Sequence, residues 1–97
     1  MLVALERFDL RIPGSHSLKQ KRHVVKTLTS GLRSKFNVSV AEVEHNDLWQ
    51  RTAIAVAAVG GQEYHLRKVM HGVEKFVERW AEVELIEAEL SLHGPEY

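Results

Sequence analysis

One stretch of this 97-residue chain has the residue types and spacing to bind a charged ligand: Ser15-His-Ser-Leu-Lys-Gln-Lys-Arg-His23. A serine-bearing turn leads there into a basic helix start. The first backbone N–H groups of a helix lack intrahelical partners, and its dipole is positive at that end, so anions are attracted to it. Lys19, Lys21 and Arg22 oppose that dipole, which points to a use beyond folding. Lys26 and Arg33 carry the charge along the helix. Ser15, Ser17, Lys19, Lys21, Arg22, Lys26 and Arg33 are therefore the candidate anion- or nucleic-acid-binding residues. The competing reading is a solvated face paired with acids from the second half of the chain.

Other chemistries find less support. His16, His23, His45, His65, His71 and His93 show neither an HExxH motif nor paired-ligand spacing, so no metal site is expected. Cysteine is absent, which removes thiol catalysis and cysteine-based clusters and fits a reducing, cytoplasmic setting. Glu82, Glu84, Glu87 and Glu89 form a charge run that reads as solvated surface rather than acid-base machinery. The expectation is a noncatalytic protein without a cofactor.

Net charge is zero, but the charge is segregated along the chain. Residues 10–41 hold seven basic side chains and no acidic one, whereas residues 42–97 hold eleven acids against five bases. This polarity gives one part of a neutral molecule a strong local field. At 44% apolar and 27% charged residues the chain has the composition of a single globular domain. Its longest apolar run, Ala53 to Val59, is far short of a membrane span of ~20 residues, and Met1-Leu2-Val3-Ala4-Leu5 runs directly into Glu6-Arg7, so neither a signal peptide nor a membrane segment is expected.

Six elements must position the basic segment. Residues 2–12 alternate as a half-buried strand, and Pro13-Gly14-Ser15 stops them. Ser17 and Gln20 form an S-x-x-Q capping box for a helix from Leu18 to about Lys35, with Leu18, Val25, Leu28 and Leu32 as its buried stripe. Asn37 can end that helix, and an edge strand over 38–43 follows it. Trp49 to Val59 is apolar on both parities beyond Ala53, as a central strand is. Gly60-Gly61 precedes an amphipathic helix over about 62–80, and the last strand covers roughly 83–92. The order βαββαβ implies an α+β, ferredoxin-like fold of one domain, with two helices on one face of a four-stranded antiparallel sheet and strands one and three in its middle. The helix-free face is expected to show an apolar patch of Val3 and Leu5 beside Val83 and Leu85, suited to pairing with a second copy.

Three segments carry a family likeness. Ser17-Leu-Lys-x-Lys-Arg22, Lys35-Phe-Asn-Val-Ser-Val-Ala-Glu-Val43 and Asp47-Leu-Trp-Gln-Arg51 together resemble the YlxP-like family, small bacterial proteins classed as a domain of unknown function. The likeness spans nearly the whole chain. It implies a ferredoxin-like fold and, because the family's genes often lie beside those for translation initiation and ribosome maturation factors, a link to RNA or the ribosome. It supplies no catalytic residues. RNA-recognition motifs share the topology and stack bases on sheet aromatics, but strand three here has no aromatic after Trp49, so phosphate contacts by the basic helix are the favoured route. The glycine-rich, arginine-ended loop of acylphosphatases is not matched by Ile12-Pro-Gly-Ser-His-Ser17. Trp49 reads as a core cap, with a stacking residue as the alternative, and with Arg51 it is a candidate partner contact; Glu42 is expected to pair with Arg51 or Arg22. The partner is expected to be RNA or a ribosomal particle, with an acidic protein or small anion as the alternative, and the protein a dimer.

Overall fold

The computed structural model describes residues 1–95. Strand β1 (Leu2–Arg11) leads through a turn into helix α1 (Leu18–Lys35); β2 (Ser39–Glu44) and β3 (Arg51–Gly60) form a hairpin, and helix α2 (Glu63–Glu78) precedes β4 (Glu84–His93). The sheet is antiparallel in the order β2-β3-β1-β4, with both helices on one face. This is the ferredoxin-like α+β arrangement, with β1 and β3 central as their apolar patterning requires. Among the described residues no helix is long and apolar enough to cross a membrane.

The core lies between the sheet and the helices. Ala4, Phe8 and Leu10 of β1 and Ile54 and Val56 of β3 meet Val24, Val25, Leu28 and Leu32 of α1 and Leu66, Met70, Val73 and Val77 of α2. The helices lock reciprocally. Gly31 of α1 faces the rings of Phe76 and Trp80, and Gly72 of α2 faces Phe36. Phe36 rather than Asn37 caps α1, its N–H donating to Leu32 O at 2.9 Å.

One acid enters this core. Glu6 points from β1 toward α2 and is 1% exposed. Burial, and then the adjoining Glu74 through a hydrogen bond and charge repulsion, raise its pKa from 4.5 to about 8.

The helix-free face differs from expectation at β4. The register jumps from Asp9↔Glu87 to Leu10↔Leu85, bulging the strand at Ile86. Every side chain before the bulge is thereby moved to the opposite face. Leu85 packs against the core and Val83 is buried within it, so neither joins the proposed patch. Val3 and Leu5 pair instead with His93 and Ser91 on one side and with Val59 and Ala57 on the other. The arginines of this face are matched by acids: Arg7 to Glu44 at 3.0 Å, Arg11 to Glu84 at 3.8 Å and Arg51 to Asp9 at 2.9 Å.

Candidate functional site

The basic helix begins as its capping box requires. Ser17 takes extended backbone angles and its hydroxyl accepts from Gln20 N at 3.1 Å. The Gln20 side chain reaches one residue further back than in the reciprocal box, accepting from His16 N at 2.6 Å. Ser15 is buried, and its hydroxyl donates to Ser17 O at 3.1 Å. Its N–H is bound to Ile12 O, and Lys21 N is bound to Ser17 O. Much of the hydrogen-bonding capacity of the turn is therefore spent inside the protein, and what remains for a ligand is chiefly the charge of the side chains.

Helical geometry divides those side chains into two groups. At about 100° per residue, Lys19, Arg22, Lys26 and Arg33 fall within an arc of roughly 60°, while Lys21 lies about 200° from Lys19. The four are exposed. None of them forms an ion pair among the described residues, in contrast to the arginines of the sheet face. Arg33 also donates through Nη2 to Val40 O at 2.8 Å, which ties its guanidinium to β2. His23 extends the stripe near its start and is exposed.

Lys21 leaves the expected ligand-contact set. Its side chain is 0% exposed, and its ammonium lies 2.7 Å from Glu42 Oε2, 2.8 Å from His45 O and 3.0 Å from Asn46 O. Three donors meet three acceptors, so the buried charge is fully satisfied. Thr52 Oγ1 donates to the same Glu42 oxygen at 2.5 Å. Glu42 thus pairs with Lys21, not with Arg51 or Arg22. Arg51 instead donates through Nη2 to both oxygens of Asp9 at 2.9 Å. That pair ties β3 to β1, and the Arg51 side chain stays 37% exposed. A helical projection of the sequence separates Lys21 from the stripe, but only the fold supplies the partners that make its burial tolerable.

Trp49 departs from expectation in the other direction. It is 54% exposed, and its neighbour Leu48 is 49% exposed. The β2–β3 connection carries both away from the core. His45 adopts a left-handed backbone (φ 63°) there, and its carbonyl accepts from Leu48 N at 3.1 Å as well as from Lys21.

A cleft of about 700 Å³ opens at the start of the stripe, between the β1–α1 turn and the α2–β4 connection. Ile12, Pro13, Val24 and Ala81 supply apolar wall, with Ser15, Ser17, Lys19, His23 and Glu82 among the polar lining. Glu82 opposes a phosphate inside the cleft. The exposed helix face, which has no such carboxylate, is the better anion surface.

Fold and site define a small ferredoxin-like α+β domain with an unneutralised basic helix face. The chain belongs to the family described as protein of unknown function (DUF503), whose model matches residues 3–90. It is 38% identical over 83 residues to the uncharacterized protein YlxP of Bacillus subtilis (strain 168), covering 86% of this chain and 90% of that protein. Among solved structures, the de novo designed protein Foldit4 superposes with a TM-score of 0.54 at 9% identity, over 97% of this chain and 98% of that one, a likeness of fold alone. SnoaB, a cofactor-independent oxygenase from Streptomyces nogalater, gives a TM-score of 0.48 at 9% identity over 99% of this chain and 93% of its own, which says nothing about activity here.

Proposed function

We propose that the protein is a noncatalytic RNA-associated module, acting on RNA or a ribosomal particle, that lays the exposed face of α1 along a phosphate backbone. The observation that carries this reading is the contrast between faces. Arg7, Arg11 and Arg51 on the sheet are matched by acids, whereas Lys19, Arg22, Lys26 and Arg33 on the helix are not. From Lys19 to Arg33 the stripe is about 21 Å long at ~1.5 Å per residue, long enough to meet several successive phosphates. With no acid on the stripe itself, its field extends into solvent and steers anions toward the helix.

The experiment is a tagged pull-down from lysate with and without ribonuclease. RNA recovered with the untreated protein, and lost on treatment or when Lys19 and Arg22 are changed to Glu, supports the reading. A protein partner whose recovery is indifferent to ribonuclease, with no RNA recovered, refutes it and assigns the stripe to an acidic protein surface.

A further inference from the structure

Trp49 stands in water at the end of the molecule where the basic stripe begins, and an unusual amount of the fold is committed to holding it there. It is 54% exposed and makes no ring contact among the described residues, where the aromatic pairs are Phe36 with Phe76 and Phe76 with Trp80. The backbone on both sides of it is clamped. Before it, Lys21 Nζ binds His45 O and Asn46 O, and Leu48 N binds His45 O. After it, Gln50 O accepts from Ile12 N at 2.9 Å, and Gln50 Nε2 donates to Pro13 O at 3.3 Å and Ser15 O at 3.0 Å. The buried lysine and the glutamine of the family-like segments thus converge on one loop tip. A large aromatic presented on a fixed backbone loses little freedom on binding, which is the property of a recognition anchor.

The surroundings indicate what it would anchor. Trp49 shares a surface depression of about 580 Å³ with His16, the residue preceding the N-cap of α1, and Lys19 follows three positions later. Asp47 is the carboxylate among the lining residues and opposes a phosphate there, while the indole accepts any flat ring.

We propose that Trp49 is a stacking platform for an unpaired nucleobase, and that the preferred ligand is RNA in which a single-stranded segment adjoins the duplex or backbone held by α1. The proposal rests on the RNA reading of the basic stripe. It moves base recognition from the sheet face, where RNA-recognition motifs place it, to the β2–β3 tip.

The test compares an RNA hairpin carrying an unpaired loop with a blunt duplex of the same stem, read by affinity and by tryptophan emission, for the wild type, Trp49→Ala and Trp49→Phe. Trp80, packed on Phe76, supplies the emission background that remains in Trp49→Ala. Stacking predicts that the wild type prefers the hairpin by roughly 5- to 150-fold, with emission quenched on binding. Trp49→Ala abolishes the preference and leaves the salt dependence intact; Trp49→Phe restores part of the preference. Equal hairpin binding by wild type and Trp49→Ala, with unchanged wild-type emission, overturns the stacking proposal while the stripe reading stands. Failure of the wild type to bind either RNA overturns both, and quenching by poly-glutamate but by neither RNA assigns the tip to an acidic protein.

Discussion

Replacing Lys21 with Met separates a structural lysine from a ligand-binding one. The substitution keeps much of the stem volume, removes the ammonium, and strands the Glu42 carboxylate together with the carbonyls of His45 and Asn46. Breaking a buried ion pair from one side costs about 3–5 kcal/mol. Glu42 retains 20% exposure and its bond from Thr52, so water and the hydroxyl relieve part of the loss. His45 O also keeps its bond from Leu48 N. The expected cost is therefore about 3 kcal/mol, a large fraction of the ~5–15 kcal/mol typical of a domain this size. Urea denaturation at neutral pH measures it. The Lys21→Met/Glu42→Leu double variant should be more stable than Lys21→Met, because no stranded carboxylate remains. Under conditions where Lys21→Met stays folded, its affinity for a blunt RNA duplex, which the α1 stripe alone would hold, should match the wild type within about twofold, any loss being confined to the hairpin preference that depends on the clamped Trp49 loop. A variant within about 1 kcal/mol of wild-type stability that binds the blunt duplex poorly would refute the reasoning and return Lys21 to the contact set.

Three further outcomes follow from the same structure. Glu6 holds its proton up to about pH 8 in the folded protein but only to about 4.5 when unfolded, so folding takes up a proton between those values. The stabilising contribution is full below pH 4.5 and is lost as pH rises through 8, at up to ~1.4 kcal/mol per pH unit. Glu6→Gln should flatten that decline in urea melts from pH 5 to 9 and be the more stable form at the alkaline end; parallel pH profiles would contradict it. Gly31→Ala places a Cβ 3.0 Å from Phe76 Cζ and 3.4 Å from Trp80 Cη2, so ring displacement of about 1–3 kcal/mol outweighs the helix-propensity gain of about 1 kcal/mol, and a lower thermal midpoint is expected. Sedimentation of Leu5→Glu beside the wild type at two concentrations checks self-association through the helix-free face, where Leu5 is 38% exposed; the expected result is a wild-type dimer that the variant loses.

The fold was largely legible in the sequence because its signals are local. The Ser17/Gln20 box, the two-parity apolar run in β3 and the helical spacing of α2 each depend on near neighbours, and each element forms where those signals place it. The site was legible only in its charge. Lys19, Arg22, Lys26 and Arg33 share a helix face by spacing alone, whereas the fate of Lys21 depends on Glu42 and two carbonyls more than twenty residues away. Arg51 is occupied by Asp9 from across the sheet, a pairing that strand register decides and residue type does not. The β4 bulge has no signature in the run Glu84-Leu-Ile-Glu-Ala, yet it moves Leu85 and Val83 out of the expected patch. Trp49 shows the limit from the other side: large aromatics usually fill cores, and only the clamped β2–β3 connection makes its exposure intelligible.

The most direct measurement of the central claim is the salt dependence of RNA binding by the wild type and by Lys19→Glu/Arg22→Glu. Four phosphates neutralised at ~0.7–0.9 each give a slope of log affinity against log salt of about −2.8 to −3.6, which is a roughly 50- to 150-fold loss of affinity between about 50 and 200 mM salt. The double variant should bind more weakly, with a slope shallower by at least about 1.4. Undiminished binding with an unchanged slope would show that α1 is not where RNA is held.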